Sequence, residues 1–153
     1  YTNYEISNWS KPRKESIHNL RYWNKKNYLG LGPGASSFLN NKRTTNVRSL
    51  KKYINNLHKS KLEFDENYIL DDRDILIENI MLNLRLSGGI DHKEFKNNFS
   101  FNFNDYFSEL INYLGKYNLI NSDNSSTVLT ERGKLISDSI FVLFEEKIQS
   151  NSF

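Results

Sequence analysis

Hydrophobic residues in the first part of the chain come in short runs broken by polar loops. Tyr4-Glu5-Ile6-Ser7 reads as a short strand, followed by a polar loop with Pro12 and a helical turn from Glu15 to Trp23. Tyr28-Leu29-Gly30-Leu31 has the look of a buried strand running into the glycine-rich Gly32-Pro33-Gly34. Ser36 to Leu39 is the next candidate strand, with Asn40-Asn41 as its turn. Val47, Leu50, Ile54 and Leu57 then fall at helical spacing within Val47 to His58, with basic or polar residues between them.

A second region starts near Tyr68, with the boundary around residues 59–68. Asp71 is a plausible N-cap for an apolar helix carrying Ile75, Ile77, Ile80, Met81, Leu84 and Leu86 and ending before Gly88-Gly89. Asp91 caps a short helix to about Asn98, and Phe103 or Asn104 opens another, with Tyr106, Phe107, Leu110, Ile111 and Leu114 on its buried side. Leu119-Ile120 and Thr127-Val128-Leu129, joined by an Asn/Ser turn, predict a small hairpin. A last helix is expected from Thr130 to about Glu146. Helix, short helix, helix, two-stranded wing, helix is a winged-helix-like order.

Composition narrows the chemistry. No run of eighteen apolar residues occurs in the 153, so no membrane-spanning helix is expected. The opening residues lack the basic-then-apolar layout of a signal peptide, and a chain starting at Tyr with a strand-like pattern is expected to be a fragment. The chain has no cysteine, which excludes disulfides, thiolate zinc sites, a catalytic thiol and any cysteine-ligated iron–sulfur cluster within it. The net charge of +3 hides an asymmetry: residues 1–67 hold 13 Lys+Arg against 5 Asp+Glu, and residues 68–153 hold 8 against 13. The basic part could face an anionic ligand; the acidic part suits a phosphate backbone poorly. Abundant Asn and a single alanine, Ala35, are also what AT-rich codons produce, and codon bias is the alternative reading of the lysines as a group.

Two constellations carry candidate chemistry. Gly30-Leu31-Gly32-Pro33-Gly34-Ala35 follows a predicted strand, yet it lacks the Gly-Lys-Ser/Thr of a P-loop and the spacing of a dinucleotide fingerprint. By itself it is either a ligand-approaching loop or a tight turn. His18-Asn19-Leu20-Arg21-Tyr22-Trp23 sets an imidazole four residues before a phenol, which one helical turn brings to the same side. Such a histidine could ligate haem iron, or be a hydrogen-bonded linker beside two core aromatics. His58 and His92 sit in polar helical faces where solvation is the simpler role.

Taken together, Tyr4-Glu5-Ile6-Ser7-Asn8-Trp9, His18-Asn19-x-x-Tyr22-Trp23 and Tyr28-Leu29-Gly30-Leu31-Gly32-Pro33-Gly34-Ala35-x-Ser37 resemble the C-terminal part of a known family. It is the radical SAM family of oxygen-independent coproporphyrinogen III oxidase (HemN), and the resemblance is closer to its haem-chaperone branch (HemW). Asn83-Leu84-Arg85-Leu86-Ser87-Gly88-Gly89-Ile90 and residues 129–138 look like the family's C-terminal domain.

The resemblance implies an α+β architecture: the last strands of a partial (β/α) barrel in residues 1–60, then a mostly helical, winged-helix-like domain with a small β-wing in 61–153. It implies haem bound through His18, Asn19, Tyr22 and Trp23, with His18 as the iron ligand, and Gly32, Gly34, Ala35 and Ser36 near S-adenosylmethionine. The oxidase branch has an apolar residue at the position matching Ser36, and many relatives have Gly where Arg13 stands. Arg13, Lys14, Arg21, Lys25 and Lys26 could pair with the haem propionates. S-Adenosylmethionine and a four-iron–four-sulfur cluster are implied for the intact protein only, because the CxxxCxxC motif is absent here. Implied partners are haem or a porphyrin and haem-recipient proteins, in the cytoplasm or peripheral to a membrane. The competing enzyme reading is a fragment of a true oxidase, which would decarboxylate two propionate side chains by radical chemistry. A winged-helix DNA-binding module is disfavoured, because the helix from about Asn104 to Tyr117 carries Asp105 and Glu109 against Lys116. No nucleic-acid partner is expected.

Overall fold

The computed structural model describes residues 1–150 and divides into two compact units. Residues 1–24 and 76–150 form one, and residues 25–75 the other. The end of the 61–153 segment, residues 151–153, lies outside the described residues.

In the first unit β1 (Thr2–Glu5) and β2 (Asn8–Ser10) form an antiparallel hairpin. The expected strand at Tyr4 to Ser7 therefore ends early. The Glu5 carboxylate accepts from the Ser7 amide and the Asn8 side chain, which closes a tight turn where the strand is expected to continue. Helix α1 (Ile17–Trp23) follows.

The second unit holds β3 (Ser36–Leu39), β4 (Lys42–Asn46), α2 (Leu50–His58) and β5 (Phe64–Ile69), with sheet order β3-β4-β5, all antiparallel. Asn40 and Asn41 both take positive φ, as the turn between β3 and β4 requires. Tyr28 to Leu31 is not a buried strand. Only Tyr28 pairs, antiparallel with Phe38, while Leu29 and Leu31 are 67% and 82% exposed. Side chains replace the ladder there: Ser37 Oγ accepts from Gly30 N at 3.0 Å, and Asn46 Nδ2 donates to the carbonyls of Gly30 and Gly32. Every strand pair among the described residues is antiparallel.

Helix α3 (Asp72–Arg85) begins where Asp71 Oδ1 accepts from Asp74 N at 2.8 Å, and buries Leu76, Ile80 and Leu84 at four-residue spacing. Then come β6 (Ile90–Asp91), α4 (His92–Phe99) capped by Asp91, α5 (Phe103–Tyr106) and α6 (Ser108–Lys116). The wing strands β7 (Ile120–Ser122) and β8 (Ser126–Leu129) join β6 in the order β6-β8-β7. Asp123 closes the wing: its carboxylate accepts from the amides of Ser125 and Ser126 and the Ser125 hydroxyl, which holds its pKa down at about 2.

The expected last helix is two, α7 (Glu131–Leu135) and α8 (Ser137–Ser150). The break at Ile136 lets α7 bring Gly133 against the Leu119 carbonyl while α8 sends Ile140, Phe141, Phe144 and Ile148 into the core. That core is aromatic. Phe103 lies 5.1 Å from Phe95 and 4.9 Å from Phe107, and Phe107 lies 5.1 Å from Phe144, ring to ring.

Candidate functional site

Helix α1 is seven residues long and would not hold its shape alone. Ser16 caps it, its Oγ accepting from Asn19 N at 3.3 Å. Two i,i+4 pairs run along the helix and divide its labour. His18 and Tyr22 form one, with ring centroids 4.9 Å apart and planes at 82°. His18 is exposed, and neither of its ring nitrogens hydrogen-bonds to any described residue. Asn19 and Trp23 form the other and point to protein: Asn19 Nδ2 donates to Tyr4 Oη at 3.4 Å, and the Arg85 guanidinium lies 4.7 Å from the Trp23 ring centroid.

Those anchors belong to a junction of three sequence segments. Ile6 N donates to Arg85 O at 3.0 Å and Ser87 N to Tyr4 O at 3.1 Å, so β1 runs antiparallel along the end of α3. Ser87 Oγ donates to Asn3 O, and Lys134 Nζ reaches Asn3 Oδ1 at 2.8 Å. The Tyr4–Trp9, His18–Trp23 and Asn83–Ile90 motifs thus meet in one unit. Tyr4, Arg85 and Lys134 were not among the residues expected at the site. Each stands in or beside one of the sequence motifs, and that position is the signal that points to it.

In the second unit the glycine-rich segment is tied inward. The amides of Gly30, Gly32, Gly34 and Ala35 donate to Ser37 Oγ, Tyr53 Oη, Val47 O and Gly32 O, respectively. A Cβ on Gly30 would stand 2.2 Å from the Ser36 carbonyl oxygen, so that position is a close backbone approach. Gly32 and Gly34 take φ of 105° and 70°. Ser36 Oγ lies 3.0 Å from Thr45 Oγ1, which donates to Glu66 Oε2 at 2.7 Å, so the Ser36 hydroxyl is engaged within the sheet.

Among the basic residues, Arg13, Lys14, Arg21 and Lys26 are exposed. Lys25 is engaged instead, its Nζ donating to Ile75 O and lying 5.7 Å from the Phe38 ring centroid. His92 is not a solvated side chain. Its ring lies 2.9 Å from Thr127 Oγ1 and 3.3 Å from Asn104 Nδ2, one partner on each nitrogen, and stacks on Phe103. No group of three or more metal-ligating His, Asp or Glu residues occurs among the described residues. No described helix is long and apolar enough to cross a membrane.

The mixed α and β fold has a counterpart among solved structures. It matches coproporphyrinogen III oxidase (HemN) from Escherichia coli, a radical SAM enzyme, with a TM-score of 0.66 at 22% identity, over 78% of this chain and 28% of that one. That likeness concerns the fold. Residues 70–136 match the family model of the HemN C-terminal domain. The chain is 31% identical over 141 residues to the heme chaperone HemW of Bacillus subtilis, covering 92% of this chain and 37% of that protein. To the HemW of Lactococcus lactis it is 30% identical over 144 residues, covering 94% and 38%. The resemblance read from the motifs is borne out, and the chain spans little more than a third of these relatives' length.

Proposed function

We propose that this chain is the C-terminal part of a haem-handling protein of the radical SAM type, which takes up haem at α1 and passes it to recipient proteins. One observation carries the reading: His18 presents two unspent ring nitrogens on an exposed helix face beside Tyr22, while Asn19 and Trp23 hold the helix down. A neutral imidazole so placed can ligate iron, and Tyr22 extends an aromatic surface beside it. Trp23 then serves by packing, with its indole under Arg85. Arg13, Lys14 and Arg21, exposed in the same unit, are the candidates to pair with propionates.

Residues 1–60 are read as the end of the family's barrel and 61–153 as the winged-helix-like HemN-type domain, α3 to α6 preceding the β7–β8 wing and α7–α8 following it. A cysteine-ligated cluster has no ligands in this chain. S-Adenosylmethionine near Gly32, Gly34, Ala35 and Ser36 would have to rely largely on carbon surface, because the amides of Gly32, Gly34 and Ala35 donate within the chain, the Gly32 and Ala35 carbonyls accept within it, and the Ser36 hydroxyl is taken. The proposed setting is the cytoplasm.

The test is a haem titration of the intact protein followed in the Soret region, comparing wild type, His18→Ala and a Lys14→Ala/Arg21→Ala double variant. His18→Ala is expected to abolish the histidine-ligand signature with the fold intact, and the charge variant to weaken binding without changing the signature. An unchanged spectrum and affinity in His18→Ala refutes the reading.

A further inference from the structure

Arg85 stands at the last position of α3, far along the chain from α1. Its guanidinium makes no ion pair and no side-chain hydrogen bond with any described residue, and its Nε is buried without a partner. In a region of net negative charge, an arginine kept from the carboxylates has been placed for something else. What it does touch is the face of Trp23, at 4.7 Å. Trp23 also leaves its own Nε1 buried and unpartnered, so the contact rests on the guanidinium lying over the indole ring and not on a hydrogen bond. Helix α1 buries no residue fully, and Arg85–Trp23 and Tyr4–Asn19 are two side-chain ties that hold it to its unit. The backbone of Arg85 is meanwhile fixed by Ile6 N, and that of its neighbour Ser87 by the Tyr4 carbonyl.

We infer that Arg85 is a positioning residue for the histidine helix. It clamps Trp23, so that the exposed His18 is presented in one orientation. The inference rests on the haem reading of His18 for its functional half and on geometry alone for its structural half. Its chemistry is specific. A lysine keeps the charge but lacks the plane, and a methionine keeps much of the volume but neither plane nor charge.

The experiment uses the intact protein with Arg85→Met, Arg85→Lys and His18→Ala. Hydrogen–deuterium exchange is read in peptides covering 17–23 and, as a control for the fold, 140–148. Haem affinity and the Soret signature are measured on the same samples. Arg85→Met is expected to speed exchange in 17–23 by about two- to thirtyfold, the range of a lost cation–π contact, with 140–148 unchanged. Arg85→Lys should fall between Arg85→Met and wild type. Haem affinity should drop in Arg85→Met with the histidine signature retained, whereas His18→Ala removes the signature. Wild-type exchange in 17–23 for Arg85→Met overturns the clamp. A loosened helix with wild-type haem affinity overturns its functional half: if His18→Ala is silent too the fault lies in the haem reading, and if His18→Ala is not silent it lies with Arg85. Should Arg85→Met also raise exchange in 140–148, Arg85→Lys decides, since a plane-specific clamp still loosens 17–23 selectively in that variant.

Discussion

Replacing Gly133 with alanine sets two rules against each other. Helix propensity says the change should help, by up to about 1 kcal/mol in a helix interior. The structure says otherwise, because a Cβ at Gly133 would stand 1.9 Å from the Leu119 carbonyl oxygen and 2.9 Å from its carbon. Those are backbone atoms and cannot rotate away. The same carbonyl accepts from Thr130 N at 3.0 Å, and Thr130 Oγ1 donates to Asn118 O, so moving it strains the joint between β8 and α7. Overpacking costs about 1–3 kcal/mol, and an unpaired buried backbone group about 1–3 more. The net expectation is a loss of about 1–5 kcal/mol after the propensity gain is subtracted. Gly115, on the exposed side of α6, is the control: a Cβ there meets nothing within 4 Å. Gly115→Ala should stabilise, by up to about 1 kcal/mol. Urea unfolding followed by far-UV circular dichroism measures both, and at a slope of about 2 kcal/mol per M a loss of about 2 kcal/mol lowers the midpoint by about 1 M. Gly133→Ala as stable as the parent, or both variants shifting the same way, would refute the close-approach argument.

Further outcomes follow from the same geometry. Asp123 titrates at about 2 in the folded chain against an ordinary value of 3.8, so its hold on the wing is complete above about pH 4 and lost as pH falls toward 2. The amide resonances of Ser125 and Ser126 should report that midpoint, and a midpoint near 3.8 would contradict it. Phe107→Ala removes a fully buried ring packed on Phe103 and Phe144, and should cost about 3–5 kcal/mol by chemical denaturation. Lys134→Met severs the tie to Asn3, and should raise exchange of the β1 amides while leaving α8 protected.

Local chemistry was what the amino-acid pattern showed best. Asp71 and Asp91 announced helix starts because a short carboxylate satisfies amides two or three residues on, a bond needing nothing distant. Tyr28–Leu31 misled for the opposite reason. Its apolar run fits a strand, but Ser37 and Asn46 capture the backbone groups that a ladder would use, and those captors lie outside the run. The break at Ile136 was hidden in the same way. A continuous apolar period predicts one helix, and it does not show the close approach of Gly133 to the Leu119 carbonyl, between α6 and β7, that goes with the break.

The candidate site follows the same division. That His18 and Tyr22 share a face was legible, since four-residue spacing fixes it in any helix. Which residues would be anchored was not, because a helix this short shows no preference until something claims one side. Asn19 and Trp23 have the same spacing one residue on, and aromatic content alone would put Trp23 and Tyr22 together as haem surface. The choice is made by Arg85 and Tyr4, brought to α1 by the antiparallel run of residues 4–6 along 85–87. Three motifs that look independent along the chain are thus one structure. Arg85, at the end of α3, reaches the histidine helix by this route, and the contact cannot be read from either segment alone.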